Sequence, residues 1–226
     1  MCGRFTLTKS GEEVAEAVSL DEEPELVPRY NIAPSQPVLV VRQVAPDVAP
    51  TAALSRWGLV PRVAPEGRPL INARAETAAT RGVFKDAFVR GRCLVPADGF
   101  YEWKGQKGSK RQPFHIRLQG GGLFGLAGLV EPGMEPGSST LTILTTAPNE
   151  LVEKIHERMP VIVPRSDYAR WLDPRATPLT LRPLLGPYPA ATMESWPVGP
   201  GVNNARLDDK ACLDAPSPAT LPLFEE

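Results

Sequence analysis

Apolar positions in this chain come in short runs, and the spacing within each run separates strands from helices. Val38 to Val44 is rich in β-branched residues and Ala52 to Leu59 is a matching run, with residues 45–51 as the hairpin loop between them. Arg92 to Val95 and Gly99 to Trp103 read as strands split by a turn at Pro96-Ala97-Asp98. Phe114 to Leu118, Leu123 to Val130, Leu141 to Thr146 and Thr192 to Val198 continue the series, and Val161 to Val163 is a further apolar run. Helical spacing is rarer. Ser10-Gly11-Glu12-Glu13 is a capping box ahead of Val14, Ala15 and Val18, which predicts a helix over about 11–19. Ala73 to Phe88 has helical composition broken by Gly82 and predicts two short helices. Pro148 at a first-turn position predicts a helix through Lys154 or His156, and Asp167 to Leu172 predicts another. Arg29-Tyr30-Asn31-Ile32-Ala33-Pro34 follows the acidic stretch Asp21 to Glu25 and reads as loop. Strands predominate and sequence neighbours can pair antiparallel. The predicted class is α+β, with a β-rich, barrel-like core of mainly antiparallel short strands and several short helices.

Composition narrows the function classes. The chain has 226 residues, 42% of them apolar, enough for a real core and too many for wholesale disorder. One domain over residues 1–212 is expected, followed by a Pro-rich tail, 213–226, expected to be poorly ordered. The three cysteines (Cys2, Cys93, Cys212) are widely spaced, with no C-x-x-C and neither histidine beside them in sequence, so no metal site and no disulfide framework is expected. No apolar run approaches the roughly 18–20 residues of a membrane span. The expectation is a cytoplasmic monomer that uses no cofactor and no membrane.

The net charge of −1 taken as an average argues against nucleic acid, yet its distribution does not. Residues 1–55 carry 4 basic and 8 acidic groups, residues 56–117 carry 13 and 5, and residues 118–226 carry 8 and 13. Arg outnumbers Lys 18 to 7, and the planar guanidinium is the better phosphate partner. The basic middle block is therefore a candidate nucleic-acid footprint.

Cys2 is the most informative residue. Removal of Met1 leaves a cysteine carrying a free α-amine and a thiol, both partly available near neutral pH. An aldehyde can form an imine with the amine and then take the thiol, closing a thiazolidine ring; a small apolar residue at the start of a strand is the bland alternative. Asn72 follows Ile71, where either a buried hydrogen bond or a helix cap fits. Glu102 lies in Gly99-Phe100-Tyr101-Glu102-Trp103, and apolar neighbours raise a carboxyl pKa toward the range useful for proton transfer, unless strand alternation turns it to solvent. His156, at the predicted helix end, is the better proton-shuttle candidate, since His115 in Pro113-Phe114-His115-Ile116 fits a strand face.

Met1-Cys2-Gly3-Arg4-Phe5, Arg29 to Pro34, Trp57-Gly58-Leu59-Val60-Pro61, Asn72-Ala73-Arg74-Ala75-Glu76-Thr77, Cys93 to Trp103, Thr145 to Asn149 and Ile155 to Val161 together resemble the successive blocks of the SOS-response-associated peptidase (SRAP) family. They run in family order to the Val202-Asn203-Asn204 segment. The resemblance implies covalent capture of the open-chain aldehyde of an abasic site in single-stranded DNA. It assigns Cys2 the amine and thiol, Asn72 the orientation of the terminus, Glu102 proton movement and His156 help in opening the sugar ring. It brings self-processing ahead of Cys2 (a peptidase reaction) and strand cleavage beside the lesion (a lyase reaction) as accompanying activities to test. Arg4, Arg74 and Arg158 fall inside the blocks as phosphate-contact candidates, Trp57 as a stacking candidate, and Arg81 and Arg90 as nonspecific attraction. The family often has a second tryptophan where this chain has Val63, which removes one aromatic from any wedge at the lesion.

Two rivals stay open on sequence grounds. N-terminal-cysteine glutamine amidotransferases also begin Met-Cys-Gly, so a thiol hydrolase, as amidotransferase or peptidase, is one. A noncovalent single-strand-binding module with a structural Cys2 is the other. In the tail, Thr220-Leu221-Pro222-Leu223-Phe224 resembles the short peptide that docks on bacterial sliding clamps, with Thr220 in place of the usual Gln.

Overall fold

The computed structural model describes residues 2–61, 66–106 and 111–217. Along the chain these form β1 (Phe5–Leu7), α1 (Gly11–Val18), β2 (Arg29–Ile32), β3 (Pro37–Arg42), β4 (Thr51–Trp57), β5 (Asn72–Arg74), α2 (Ala75–Ala78), α3 (Gly82–Arg90), β6 (Arg92–Ala97) and β7 (Gly99–Lys104). There follow β8 (Gln112–Leu118), β9 (Phe124–Pro132), β10 (Ser139–Thr146), β11 (Met159–Pro160), β12 (Ile162–Val163), α4 (Tyr168–Leu172), α5 (Pro178–Leu181) and β13 (Met193–Pro197). Val63 and the tail peptide Thr220 to Phe224 lie outside the described residues.

Five strands close into a barrel. β4 pairs antiparallel with β3, β3 with β6, β6 with β9 and β9 with β10, and a parallel pairing of β10 with β4 completes the ring. The class is α+β as expected, and the barrel is mixed, because β10 runs parallel to β4; outside the ring β10 also pairs in parallel with β5. Closure removes the open edges that a sheet of this size would otherwise expose. The second sheet is antiparallel in the order β13-β8-β7-β1-β2. A continuous apolar core joins the two sheets, with Phe5, Phe100 and Ile116 from the second sheet and Val41, Leu94, Leu129 and Ile143 from the barrel, all buried.

Local chemistry explains most boundaries. The capping box at Ser10 and Glu13 forms, and Val14 and Val18 bury the inner face of α1. Two short helices do form, Ala75–Ala78 and Gly82–Arg90, the second running two residues past the expected end at Phe88, although Asn72 to Arg74 is drawn into a strand by β10 and Gly82 opens the second helix instead of breaking the first. The expected turn at Pro96-Ala97-Asp98 is a corner between sheets: β6 runs through Ala97 in the barrel, and the chain bends only at Asp98 before β7 enters the other sheet.

Two expectations fail for tertiary reasons. Arg29 to Ile32 is a strand, not a loop, because β1 pairs with it on one side and the Asp208 carboxylate accepts from the backbone N–H groups of Tyr30 (2.6 Å) and Asn31 (2.7 Å) on the other. The helix expected after Pro148 is a set of turns. Asn149 Oδ1 caps the N–H groups of Leu151 (3.2 Å) and Val152 (2.9 Å), and the chain must then reach Met159 to pair with β10. That leaves room for about one helical turn.

Candidate functional site

Cys2 lies three residues before β1, the strand between β2 and β7, and it is fully buried. Burial pushes its thiol well above the ordinary thiol range, and the Glu102 carboxylate adds to the effect. The thiol is thus a neutral S–H near pH 7. β5 carries Asn72 to the same place: its parallel register on β10, Asn72 opposite Ile143, sets the side chain so that Nδ2 donates to the Cys2 carbonyl oxygen at 2.9 Å. Asn72 Oδ1 is then a buried acceptor without a hydrogen-bond partner among the described residues.

Glu102 lies on β7 two positions after Phe100, which faces the core, so strand alternation turns it inward as well. It is 1% exposed. Burial pushes its carboxyl up to about 7, against the opposing pull of the positive chain terminus and, more weakly, Arg111. His156 Nε2 lies 3.8 Å from Glu102 Oε2. Burial and the positive terminus lower the imidazole pKa. Both partners are therefore displaced toward their neutral forms, and near pH 7 the pair can pass a proton in either direction.

The seat of the imidazole favours the same behaviour. Nδ1 is 3.1 Å from the Arg158 backbone N–H, which can donate to it, and 3.2 Å from the Arg158 carbonyl oxygen, which can accept from it. Either neutral tautomer has a partner on that peptide, so Nε2 can present a proton or a lone pair toward Glu102.

The other expected residues spread more widely. Arg74, the last residue of β5, is exposed; Arg4 is half-buried, with Nη1 donating to the Gly3 carbonyl oxygen at 2.8 Å. Arg81 is exposed with its guanidinium over the Phe84 ring, and Arg90 is exposed at the end of α3. The guanidinium of Arg158 is already engaged through both Nη atoms: Nη1 and Nη2 donate to the two Glu76 carboxylate oxygens at 2.6 and 2.9 Å, and Nη2 also to the Thr145 carbonyl oxygen at 2.6 Å. Trp57 corrects the stacking expectation. It is fully buried, packs against Phe5 with ring centroids 5.4 Å apart and donates from Nε1 to the Ile71 carbonyl oxygen, so no ring face is free for a base.

Sequence reasoning missed two participants. Arg111 sits before β8 and bears electrostatically on both Glu102 and His156; its only sequence signal is membership of the basic block. Glu76 lies in the Asn72–Thr77 block, whose resemblance assigns roles only to Asn72 and Arg74. Four clefts of about 360–550 Å³ lie elsewhere, lined by residues other than Cys2, Asn72, Glu102 and His156. Among the described residues no group of three or more His, Cys, Asp or Glu side chains could hold a metal ion, and no helix is long and apolar enough to cross a membrane.

Four side chains from four separate blocks thus surround the start of β1, and the family model described as SOS response associated peptidase (SRAP) matches residues 1–205. The chain belongs to the SRAP family. Among its SRAP relatives, the abasic site processing protein YoqW of Bacillus subtilis is 41% identical over 95% of this chain and 100% of its own length. The abasic site processing protein YedK of Escherichia coli is 33% identical over 76% of this chain and 79% of its own. A crystal structure of a phage-related protein from Bordetella bronchiseptica superposes with a TM-score of 0.71 at 28% identity, covering 87% of this chain and 94% of that one. A second, from Bacteroides thetaiotaomicron, reaches a TM-score of 0.78 over 95% of this chain and 99% of its own, at 20% identity, and shares the fold.

Proposed function

We propose that this protein processes abasic sites in single-stranded DNA, by closing a thiazolidine between the lesion aldehyde and the amine and thiol of Cys2. The reading rests chiefly on the gathering of Asn72, Glu102 and His156 at a buried N-terminal cysteine, and the names of the SRAP relatives point to the same lesion. It places the reaction in the DNA damage response.

The reaction requires cleavage of the Met1–Cys2 bond, which frees the amine. An abasic sugar is mostly a closed hemiacetal. Opening it moves the C1′ hydroxyl proton to a base and delivers a proton to the ring oxygen as the C1′–O4′ bond breaks, work suited to the His156 and Glu102 pair. The amine then adds to the aldehyde and water leaves, giving an imine. The thiol adds last: the S–C bond forms, and the thiol proton ends on the former imine nitrogen. A thiol kept neutral by burial fits this order, because the amine attacks first. Asn72 holds the Cys2 carbonyl oxygen, and its open Oδ1 can accept from the mature α-amine, which replaces a bimolecular encounter with a fixed geometry. Arg4, Arg74 and Arg111 supply attraction for the strand backbone.

Intact mass of the mature protein before and after exposure to abasic single-stranded DNA tests this reading. The expected result is loss of Met1 and a stoichiometric adduct. Cys2→Ala, or a form that keeps Met1, should give no adduct while retaining reversible, salt-sensitive binding to the strand. Full cross-linking by a form that keeps Met1 would exclude the thiazolidine. Turnover of glutamine or of a peptide without any adduct would favour the thiol-hydrolase rival.

A further inference from the structure

The segment that delivers Asn72 to Cys2 also reaches the loop that carries His156. β5, β10 and β11 lie side by side, with Thr145 of β10 opposite Arg74 on one edge and Pro160 on the other. Two residues after Arg74, in α2, the Glu76 carboxylate spans this junction and engages the Arg158 guanidinium through two parallel hydrogen bonds of 2.6 and 2.9 Å. The third contact of Arg158, to the Thr145 carbonyl oxygen, pins the same side chain to β10. The Arg158 peptide, in turn, is the group on which His156 Nδ1 rests.

We propose that Glu76 is a positioning residue for His156, acting through Arg158. Three links make the chain: the carboxylate fixes the guanidinium, the guanidinium fixes the backbone at residue 158, and that backbone sets the ring orientation and its choice of tautomer. A bidentate carboxylate–guanidinium pair suits the task because it fixes direction as well as distance. At 3.8 Å, His156 and Glu102 stand just beyond direct hydrogen-bond distance, where a small rotation of the ring decides whether a proton passes. The Glu76 side chain is 48% exposed, so the bridge adds little to global stability, and its loss should appear in the chemistry instead of in the melting temperature.

This inference rests on the abasic-site reading for its rate measurement, whereas its structural half can be tested without DNA. Full-length mature protein, labelled with 15N at histidine, would be compared with Glu76→Gln and Glu76→Asp. In DNA-free protein, Glu76→Gln is expected to move the His156 ring-nitrogen shifts toward those of a solvent-exposed imidazole and leave those of His115 in place. Glu76→Asp should restore part of the change. With abasic single strands, Glu76→Gln should slow adduct formation about tenfold, with affinity for the intact strand retained and the melting temperature unchanged. Unmoved His156 shifts, or cross-linking as fast as or faster than wild type, would overturn the proposal; the faster rate would make Glu76 a restraint that keeps Arg158 from phosphate. If the wild type forms no adduct, the functional reading fails, and the His156 shifts still decide the part played by Glu76.

Discussion

The paired strands β7 and β8 carry two buried polar centres, one on each face, and the contrast between them separates chemistry from architecture. On the inner face Glu102 stands with Cys2 and His156. On the outer face His115, opposite Tyr101 in the register, packs against the rings of Tyr101 and Trp196 at 4.9 Å each. Nearby, at the corner before β7, the Asp98 carboxylate accepts from the Thr6 hydroxyl at 2.5 Å, the Thr8 N–H at 2.8 Å and the Thr8 hydroxyl. Burial displaces pKa values in both centres, pushing Glu102 up to about 7 and His115 down to about 4. What differs is the freedom of the proton. The Thr6 hydroxyl spends its proton on Asp98, so His115 Nε2, 3.4 Å from that oxygen, must be the donor, and one tautomer is fixed. His156 rests on a peptide that can serve either tautomer, beside a carboxyl half-protonated near neutrality. The two centres are alike in burial and differ in whether the position of a proton is fixed.

Glu102→Gln should break the contrast most sharply. It should slow adduct formation by about a hundredfold or more, measured in single-turnover cross-linking. It should also change the pH dependence of stability, with a sign fixed by the shifts. A folded-state carboxyl raised from 4.5 to about 7 gives stability that is fully present below pH 4.5 and is lost as pH rises through 7, on the order of 3 kcal/mol. His115, lowered from 6.5 to about 4, does the opposite: its contribution is present above pH 6.5 and is lost as pH falls to 4, by a similar amount. The two offset in the wild type over much of the range. Urea titrations of Glu102→Gln should therefore show a steeper acid loss and higher stability than wild type at pH 8.

On the outer face the same kind of change should act on stability alone. Asp98→Ala removes the acceptor for three donors and should cost about 2–4 kcal/mol in urea unfolding. Cross-linking per folded molecule should stay at the wild-type rate; a large loss of rate would erase the distinction between the faces. Asn72→Ala is expected to slow adduct formation about tenfold without lowering affinity for the strand. Arg74→Ala has the smallest expected effect, a reduction of about one unit in the salt slope of strand binding.

Some of this was legible in the chain. The capping box at Ser10, the β3–β4 hairpin and the β-rich class follow from local patterns, because cap chemistry and strand alternation act within a few residues. Cys2 announced itself by position and chemistry. Glu102 could be read as reactive or as solvated, since alternation says that a residue faces one side without saying which side the core occupies. The errors share a cause. Arg29 to Ile32 becomes a strand through Asp208, some 180 residues away, the stretch after Pro148 gives up its helix to reach β10, and Trp57 leaves the surface for Phe5 and Ile71.

The sequence by itself determined the candidate reactive groups: a cysteine next to Met1, an amide, a carboxylate and an imidazole, in blocks that resemble the SRAP family. Tertiary structure decided what those groups can do. The pKa displacements of Cys2, Glu102 and His156 come mainly from burial, which exists only when the barrel and the second sheet close on each other. The distance from Cys2 to Asn72 along the chain is bridged by the pairing of β5 with β10, and the seat of His156 depends on Arg158, which Glu76 holds from another element. Short-range patterns encode geometry within a turn or a strand, whereas proton affinity depends on everything packed within a few ångströms, and in this protein that neighbourhood is assembled from distant parts of the chain.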